Sequence, residues 1–209
     1  MSKIEEISAA VAAGKAKIIG GLVQEALNKG IAPLDILNIA MMGAMGEVGE
    51  KFKTGEIFVP EMLIAARAMK AGVEVLKPKL SSEAQAGLGK CIIGTVAGDL
   101  HDIGKNLVGM MIESAGFTLI DLGVDVKNEV FIEKLKANPD TILIALSCLL
   151  TTTMPAMKDA VAAIRGAGIV GKIIVGGAPV TQAFAAEIGA DGYAPDAASA
   201  ATLAKEIIA

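Results

Sequence analysis

The stretch Cys91-Ile92-Ile93-Gly94-Thr95-Val96-Ala97-Gly98-Asp99-Leu100-His101-Asp102-Ile103-Gly104 joins an apolar run to a polar turn. An amphipathic segment follows from Ile103 to Ser114, so the pattern predicts a buried strand, a loop and a helix. His101 is the only histidine of the chain and follows Asp99 by two residues. Two roles are open for it at this point: a metal ligand oriented by a carboxylate, or a loop histidine that caps the next helix.

The same alternation of apolar runs and helical periodicity continues through the second half of the chain. The predicted strands are 90–96, 117–121, 141–147, 172–176 and 191–194, and the predicted helices are 103–115, 127–137, 154–167, 180–188 and 197–208. Continuous apolar strands are typical of a parallel sheet that helices cover on both faces. The sequence therefore predicts a doubly wound, flavodoxin-like α/β domain with a five-stranded parallel sheet, which binds ligands at the carboxyl ends of its strands.

The first 85 residues show helical periodicity only. Two helices are predicted at Ile4–Val11 and Ala16–Leu27, a third from Pro33 to about Phe52, and a fourth from Pro60 to Pro78. Short connections between them predict an antiparallel four-helix bundle. We expect a helical domain over residues 1–88 and an α/β domain over residues 89–209, with the segment from Lys77 to Gly89 as the linker.

Composition excludes several classes of function. The longest apolar stretch, Ile142–Leu150, is far shorter than the roughly 18 residues of a membrane-spanning helix, so no membrane association is expected. The N-terminus carries acidic residues and no signal pattern, which predicts a cytoplasmic protein. The net charge is -4 without a basic stripe, so we expect no nucleic-acid partner. Cys91 and Cys148 lie in apolar runs and are predicted to be buried, reduced thiols.

Polar and small residues follow each predicted strand at the edge where ligands are expected. These segments are 98–104, 121–123, 147–153, 176–179 and 193–197. A paired glycine alone is often a turn, and a hydroxyl alone often caps a helix. An imidazole, carboxylates, hydroxyls and a Gly-Gly pair at one edge of the sheet together indicate a ligand site.

The motifs Asp99-x-His101-x-x-Gly104, Ser147-x-Leu149 and Gly176-Gly177, at these separations, resemble the signature of cobalamin-binding domains. The stretch Val48–Glu61 is similar to the helical cap of methyl-carrying corrinoid proteins. The resemblance covers about residues 4–208. It is strongest to the small corrinoid proteins of methanol, methylamine, glycine-betaine and aryl methyl ether methyltransferase systems, and weaker to the modules of cobalamin-dependent methionine synthase.

The resemblance implies roles for individual residues. His101 would be the lower axial ligand of cobalt, Asp99 would bind its other ring nitrogen, and Thr153 would end the proton relay where the family has a serine. Ser147 and Thr151 would contact the buried tail of the cofactor. The other implied cofactor-binding residues are Gly98, Leu100, Asp102, Gly104, Gly123, Leu149, Gly176, Gly177 and Ala197, together with Phe52, Val59 and Met62 of the cap above the cobalt.

Two of these assignments have structural alternatives. Ordinary packing between helices would also account for the three cap residues, and Phe58 could replace its neighbour Val59. For Asp102 the sequence favours the alternative, a helix cap or a position that faces solvent.

The implied function is that of a methyl carrier whose cofactor, cobalamin or a related corrinoid, alternates between methylcob(III)alamin and cob(I)alamin. A substrate:corrinoid methyltransferase would supply the methyl group. A second methyltransferase would pass it to tetrahydrofolate, tetrahydromethanopterin or a thiol, and a reductive activase would complete the system. The chain is not expected to be catalytic without these partners.

Three other functions compete with the methyl carrier. One is the cobalamin-binding subunit of an adenosylcobalamin-dependent mutase, which shares the histidine motif but lacks this cap. Another is a cobalamin-sensing regulator, which would need a DNA-binding module that the sequence does not indicate. The last is a flavodoxin-like binding module without cobalt.

Overall fold

The computed structural model describes residues 2–80 and 87–208. The chain forms two compact units. One contains the residues up to Gly87 together with Ser114–Gly116, and the other contains Leu88–Glu113 and the chain from Phe117 onward. Of the predicted linker, Lys77–Lys79 form a 3-10 turn, and residues 81–86 lie outside the described residues.

The first unit is helical. Its elements are α1 (Lys3–Ala12), α2 (Ala16–Asn28), α3 (Pro33–Asp35), a π-helical segment (Ile36–Met42), α4 (Gly43–Lys53) and α5 (Val59–Leu76). The predicted third helix is therefore three consecutive helical segments. One apolar face of these helices is buried, as their periodicity predicts; the largest buried side chains are Ile7, Ile19, Ile36, Met41, Met62 and Leu76.

Local polar contacts set where these helices begin. Ser2 and Glu5 form a capping box at α1, in which Ser2 Oγ accepts from the Glu5 N–H at 3.2 Å and Glu5 Oε2 accepts from the Ser2 N–H at 2.7 Å. At α5 the Phe58 N–H donates to Glu61 Oε2 at 3.1 Å, so the helix begins at Val59, one residue before the predicted Pro60. Proline fits this first turn because its missing N–H has no intrahelical partner there.

The second unit contains a five-stranded parallel sheet of β1 (Gly89–Thr95), β2 (Phe117–Asp121), β3 (Thr141–Ser147), β4 (Lys172–Gly176) and β5 (Gly192–Tyr193). The strand order is β2-β1-β3-β4-β5, which confirms the predicted flavodoxin-like topology. The chain leaves β1 and β3 toward opposite sides of the sheet. The carboxyl ends of these two neighbouring strands therefore form the crevice where such folds bind ligands.

Helices cover both faces of this sheet. They are α6 (Ile103–Ser114), α7 (Asn128–Ala137), α8 (Met154–Gly166), α9 (Gln182–Glu187) and α10 (Ala197–Ile208). Ile92 lies in one core with Phe131 of α7 and Met157 of α8. On the other face, Gly109 of α6 lies against Leu119 and Ile93.

Besides shifts of one residue at the ends of β1, α6, α7 and α8, the second unit differs from the sequence prediction in three details. The predicted strand 191–194 is reduced to two residues before Pro195, which has no N–H for a strand ladder. The predicted helix 180–188 begins at Gln182, because Thr181 Oγ1 caps it by accepting from the Phe184 N–H at 3.2 Å. A 3-10 turn over Thr151–Thr153 was not predicted. Within the described ranges, no helix is both long enough and apolar enough to cross a membrane.

Candidate functional site

The loop between β1 and α6, residues 96–102, carries His101 at the carboxyl end of the sheet and is called the histidine loop below. Gly98 turns the chain with a φ of +80°, a conformation that favours glycine. The Thr95 hydroxyl donates to the backbone oxygen of His101 at 2.9 Å, which fixes the loop on the end of β1. The His101 side chain is about half exposed, at 49%. The loop thus presents one imidazole at the crevice.

Asp99 binds this imidazole and connects two loops. Its Oδ1 accepts from His101 Nδ1 at 2.7 Å and from the His101 backbone N–H at 3.1 Å. Its Oδ2 accepts from the Leu149 N–H at 2.7 Å and from the Thr153 hydroxyl at 2.8 Å, both in the loop after β3. An ionised carboxylate only accepts, so Nδ1 carries the proton and the lone pair of the neutral ring lies on Nε2.

The charge of Asp99 is maintained despite its complete burial. Burial alone would raise the pKa of this carboxyl, but the hydrogen bonds from Leu149, His101 and Thr153 outweigh burial and hold the pKa well below its ordinary value of 3.8. The carboxylate is therefore ionised at neutral pH. It keeps the proton on Nδ1 and leaves Nε2 as a ligand for a metal.

Thr153 and Cys148 form the buried side of this network. Thr153 Oγ1 lies 3.3 Å from Cys148 Sγ, and the thiol also lies 3.2 Å from the Leu150 carbonyl oxygen. Burial raises the pKa of the Cys148 thiol, and burial raises that of Cys91 to about 12. Both cysteines are free and buried, which confirms the sequence prediction.

Exposed apolar side chains flank His101. Leu100, in the same loop, and Ile103, the first residue of α6, are 73% and 76% exposed. Leu149 and Leu150, in the loop that Asp99 connects to it, are also exposed. Such a patch on a folded protein marks a ligand-binding or protein-binding surface.

The four glycines predicted to leave room for a ligand differ in their surroundings. A Cβ at Gly104 or Gly123 would have no atom within 4 Å, whereas a Cβ at Gly176 would lie 3.0 Å from the Ala194 carbonyl oxygen. At Gly177, with a φ of +128°, a Cβ would lie 1.8 Å from the Cys148 carbonyl oxygen. Gly177 is therefore required by the packing of the protein itself, while Gly104 and Gly123 face open space.

The remaining predicted residues of the α/β domain lie at the same edge of the sheet. Ser147 is partly buried and pairs with Thr95 and Gly176 across the sheet, and Thr151 is exposed. Asp102 is exposed, and its Oδ2 accepts from the side-chain Nδ2 of Asn106 at 3.3 Å. Ala197 is the buried first residue of α10.

The predicted cap residues lie at the junction of α4 and α5. Phe52 and Val59 are partly buried, Met62 is buried and Phe58 is largely exposed. Their role toward a cofactor stays a prediction.

Sequence reasoning missed two residues with polar contacts around the candidate site, namely Lys105 of α6 and Asp125, which binds the loop that carries His101. The side chain of Lys105 is 2% exposed, and its Nζ donates at 2.5 Å to Asp121 Oδ2. A signal was present, because Lys105 occupies the buried face of α6 with Gly109 and Ile112, at positions i, i+4 and i+7. The second residue, Asp125, accepts from the Gly98 N–H at 2.7 Å, and no sequence pattern indicates this contact.

The geometry fits a flat macrocycle that brings its own metal. The chain supplies one imidazole whose Nε2 has no hydrogen-bond partner among residues 2–80 and 87–208, a buried carboxylate behind it and apolar side chains around it. A single protein nitrogen is sufficient for a metal whose equatorial positions a cofactor already fills.

Comparison with protein families finds matches over both units. Residues 3–77 and residues 89–202 each match a family model described as a B12 binding domain. Together these matches include both α4–α5 and the histidine loop.

Curated relatives match nearly the whole chain. Dimethylamine corrinoid protein 1 of Methanosarcina acetivorans is 40% identical over 99% of this chain and 97% of its own length. Trimethylamine corrinoid protein 2 of the same organism is 43% identical over 88% of this chain and 86% of its own length.

Two solved structures also match nearly the whole of this chain. The methanol:cobalamin methyltransferase complex of Methanosarcina barkeri matches 99% of this chain and 79% of the other, with a TM-score of 0.85 and 31% identity. A cobalamin-binding protein from Desulfitobacterium hafniense matches 99% of this chain and 98% of the other, with a TM-score of 0.83 and 30% identity.

Proposed function

The chain belongs to the B12-binding corrinoid proteins, and we propose on this premise that it carries a methyl group on the cobalt of a bound corrinoid. The observation that carries the proposal is the hydrogen-bonded set Thr153–Asp99–His101, which leaves one imidazole nitrogen free at the crevice. An adenosylcobalamin mutase subunit is not favoured, because the relatives are corrinoid proteins named for methylamines and match over the helical unit as well.

Cobalt, when bound, supplies both the nucleophile that takes up a methyl group and the leaving group that releases it. The chain would hold this group through His101, whose Nε2 would bind the metal. Asp99 keeps the proton on Nδ1 and fixes the orientation of the ring, so that Nε2 would be the nitrogen available to a metal. Thr153 donates to the second carboxylate oxygen and so keeps Asp99 from turning.

The other assignments stay part of the proposal. Leu100 and Leu149 would pack against the corrin ring, and the open positions at Gly104 and Gly123 would leave space for the cofactor and its tail. Ser147 and Thr151 would contact the tail. The residues proposed to complete the site are Gly98, Asp102, Gly176, Gly177 and Ala197, with Phe52, Val59 and Met62 above the cobalt from a cap domain of residues 1–88.

A substrate:corrinoid methyltransferase is the partner with the best support, since a similar structure is a methyltransferase complex. We include a second methyltransferase as methyl acceptor and a reductive activase for oxidised cobalt. Relatives named for dimethylamine and trimethylamine support methylated amines as the first donors to test. The cytoplasmic location predicted from the sequence stays a prediction.

The proposal is tested by replacing the one histidine of the chain. Wild-type protein is reconstituted with cobalamin and reduced to the cob(II) state, with all histidine labelled with 15N. The electron paramagnetic resonance spectrum should show coupling to one labelled nitrogen. H101A and H101G should lose this coupling, and added imidazole should restore a nitrogen ligand in H101G.

Two outcomes would overturn the proposal. Unchanged nitrogen coupling in H101A would remove the ligand assignment. Wild-type protein that stays colourless after reconstitution would favour a binding module without cobalt. The carrier role itself is measured by transfer of a labelled methyl group from dimethylamine or trimethylamine in the presence of the matching methyltransferase.

A further inference from the structure

Asp125, in the loop between β2 and α7, has a backbone conformation that is unusual for its residue type. Its φ is +51°, and within the described residues it is the one non-glycine with a positive φ. The left-handed region is unfavourable for residues with a Cβ, and aspartate and asparagine enter it more readily than most. Strained residues of this kind concentrate at functional sites.

Asp125 forms two hydrogen bonds with the histidine loop. Asp125 Oδ1 accepts from the Gly98 N–H at 2.7 Å, and the Asp125 N–H donates to the Asp99 carbonyl oxygen at 2.9 Å. Gly98 and Asp99 are the two residues that turn the chain from β1 toward His101. The two hydrogen bonds therefore hold both ends of this dipeptide.

The loop that carries Asp125 is itself anchored on β1. The Thr95 N–H donates to the Gly123 carbonyl oxygen at 3.0 Å, and the Val126 N–H donates to the Thr95 carbonyl oxygen at 2.9 Å. Asp125 lies between these two contacts. The backbone on both sides of Asp125 is therefore hydrogen-bonded to β1.

Glycine at position 125 would adopt the same φ at lower cost but would offer no acceptor to Gly98. An aspartate in this conformation therefore supplies the carboxylate at the expense of backbone strain. The carboxylate is directed at the histidine loop and leaves His101 itself untouched.

We propose that Asp125 is a positioning residue, which holds the Gly98–Asp99 turn so that Asp99 presents His101 to the cofactor. This rests on the proposed function for its final step, the ligation of cobalt by His101. The contact with Gly98 and the orientation of the imidazole can be measured without cofactor.

The test compares D125G, D125N and the surface control E129Q with wild type. D125G removes the acceptor and also the strain, D125N keeps both an acceptor oxygen and a residue tolerant of positive φ, and E129Q removes one exposed charge from the first turn of α7. In apoprotein, hydrogen exchange of the Gly98 amide and the 15N shifts of His101 are recorded. In reconstituted protein, cobalamin affinity and the histidine-ligated fraction are recorded.

D125G should exchange the Gly98 amide about tenfold faster and bind cobalamin about tenfold more weakly, the scale of one hydrogen bond to a charged acceptor. Its His101 15N shifts should move from the Nδ1–H form toward a mixture. Its unfolding midpoint should change little, because relief of the backbone strain offsets part of the loss of the hydrogen bond. D125N and E129Q should stay within twofold of wild type.

Unchanged Gly98 exchange and His101 shifts in D125G would overturn the proposal. A positioning role would also be rejected if D125G lost only thermal stability, or if D125N failed to restore the Gly98 and His101 signals. If the proposed function is wrong, wild-type protein will show no histidine-ligated cobalamin. The measurements on apoprotein would then still decide whether Asp125 positions His101.

Discussion

Asp99 holds His101 at two points with a single oxygen, because Oδ1 accepts from the ring Nδ1 at 2.7 Å and from the backbone N–H at 3.1 Å. The ring is thereby fixed relative to its own backbone. The other oxygen is held by Leu149 and Thr153, so the carboxylate cannot turn without breaking bonds on both sides. The structure thus orients the imidazole before any cofactor arrives, which is the arrangement that ligand preorganisation requires.

Replacing Asp99 by asparagine should impair both folding and cofactor binding. Both oxygens of Asp99 accept from N–H or O–H donors, so the NH2 group of an asparagine would point at a donor in either orientation of the side chain. We expect D99N to lose about 2–3 kcal/mol of unfolding free energy and to bind cobalamin more than tenfold more weakly. Urea unfolding and absorbance titration measure the two effects, with D159N on exposed α8 surface as control. Wild-type affinity with a histidine-ligated spectrum in D99N would contradict the assignment.

The hydroxyl of Thr153 can be separated from its methyl group by two substitutions. T153V keeps the shape but leaves Asp99 without one donor, whereas T153S keeps the donor and removes a methyl group. We expect T153V to lose about 1–2 kcal/mol of unfolding free energy and to raise the pKa of Asp99, and T153S to restore that pKa. A carboxyl titration followed by NMR measures the pKa. Equal pKa values in T153V and wild type would exclude Thr153 from the network.

Stability should fall in acid because of Asp99. Its pKa is depressed in the folded protein, so the unfolded chain binds the proton more tightly, and the stabilisation is fully present above the ordinary value of 3.8. It is lost as the pH falls below that value. Urea unfolding from pH 6 down to about pH 3 should therefore show a steeper decline for wild type than for D99N. Parallel curves would mean that Asp99 has the same pKa in both states.

The sequence predicted the inner strands well for a physical reason. β3 and β4 match the predicted ranges residue for residue, because a strand buried on both faces leaves a continuous apolar run that polar residues end sharply. β2 matches as well, although it lies at the edge of the sheet and only Phe117 of it is buried. The π-helical segment Ile36–Met42 was not predictable in this way. It has the same apolar periodicity as its flanking α-helices and differs in backbone hydrogen bonding.

The same distinction applies to the site. The bond from Asp99 to His101 spans two residues and follows from local spacing, whereas the donor from Leu149 lies 50 residues away and depends on β1 pairing with β3. Asp125 is further removed still from any local pattern, because its role follows from a backbone conformation and two contacts across loops.

The ion pair of Lys105 and Asp121 should respond unequally to loss of either partner. The Lys105 side chain is 2% exposed and that of Asp121 is 40% exposed. K105M leaves a carboxylate that water can solvate, so we expect a change within about 1 kcal/mol; D121N leaves a buried ammonium without its counter-charge and should cost about 2–3 kcal/mol. Urea unfolding at pH 7 gives both values. A larger loss in K105M than in D121N would contradict the burial argument.

Gly177 should be intolerant of even one methyl group. A Cβ there would lie 1.8 Å from the Cys148 carbonyl oxygen, and the φ of +128° disfavours any residue with a side chain. We expect G177A to lose more than about 3 kcal/mol of unfolding free energy, since backbone atoms must move. G21A is the matched control, because Gly21 lies in α2 with no atom within 4 Å of its Cβ position and alanine there should stabilise by about 0.5–1 kcal/mol. Cys148 precedes Leu149, whose N–H donates to Asp99, so G177A should also lower the histidine-ligated fraction of bound cobalamin. An unchanged fraction would show that the loop after β4 does not affect the hydrogen bonds of Asp99.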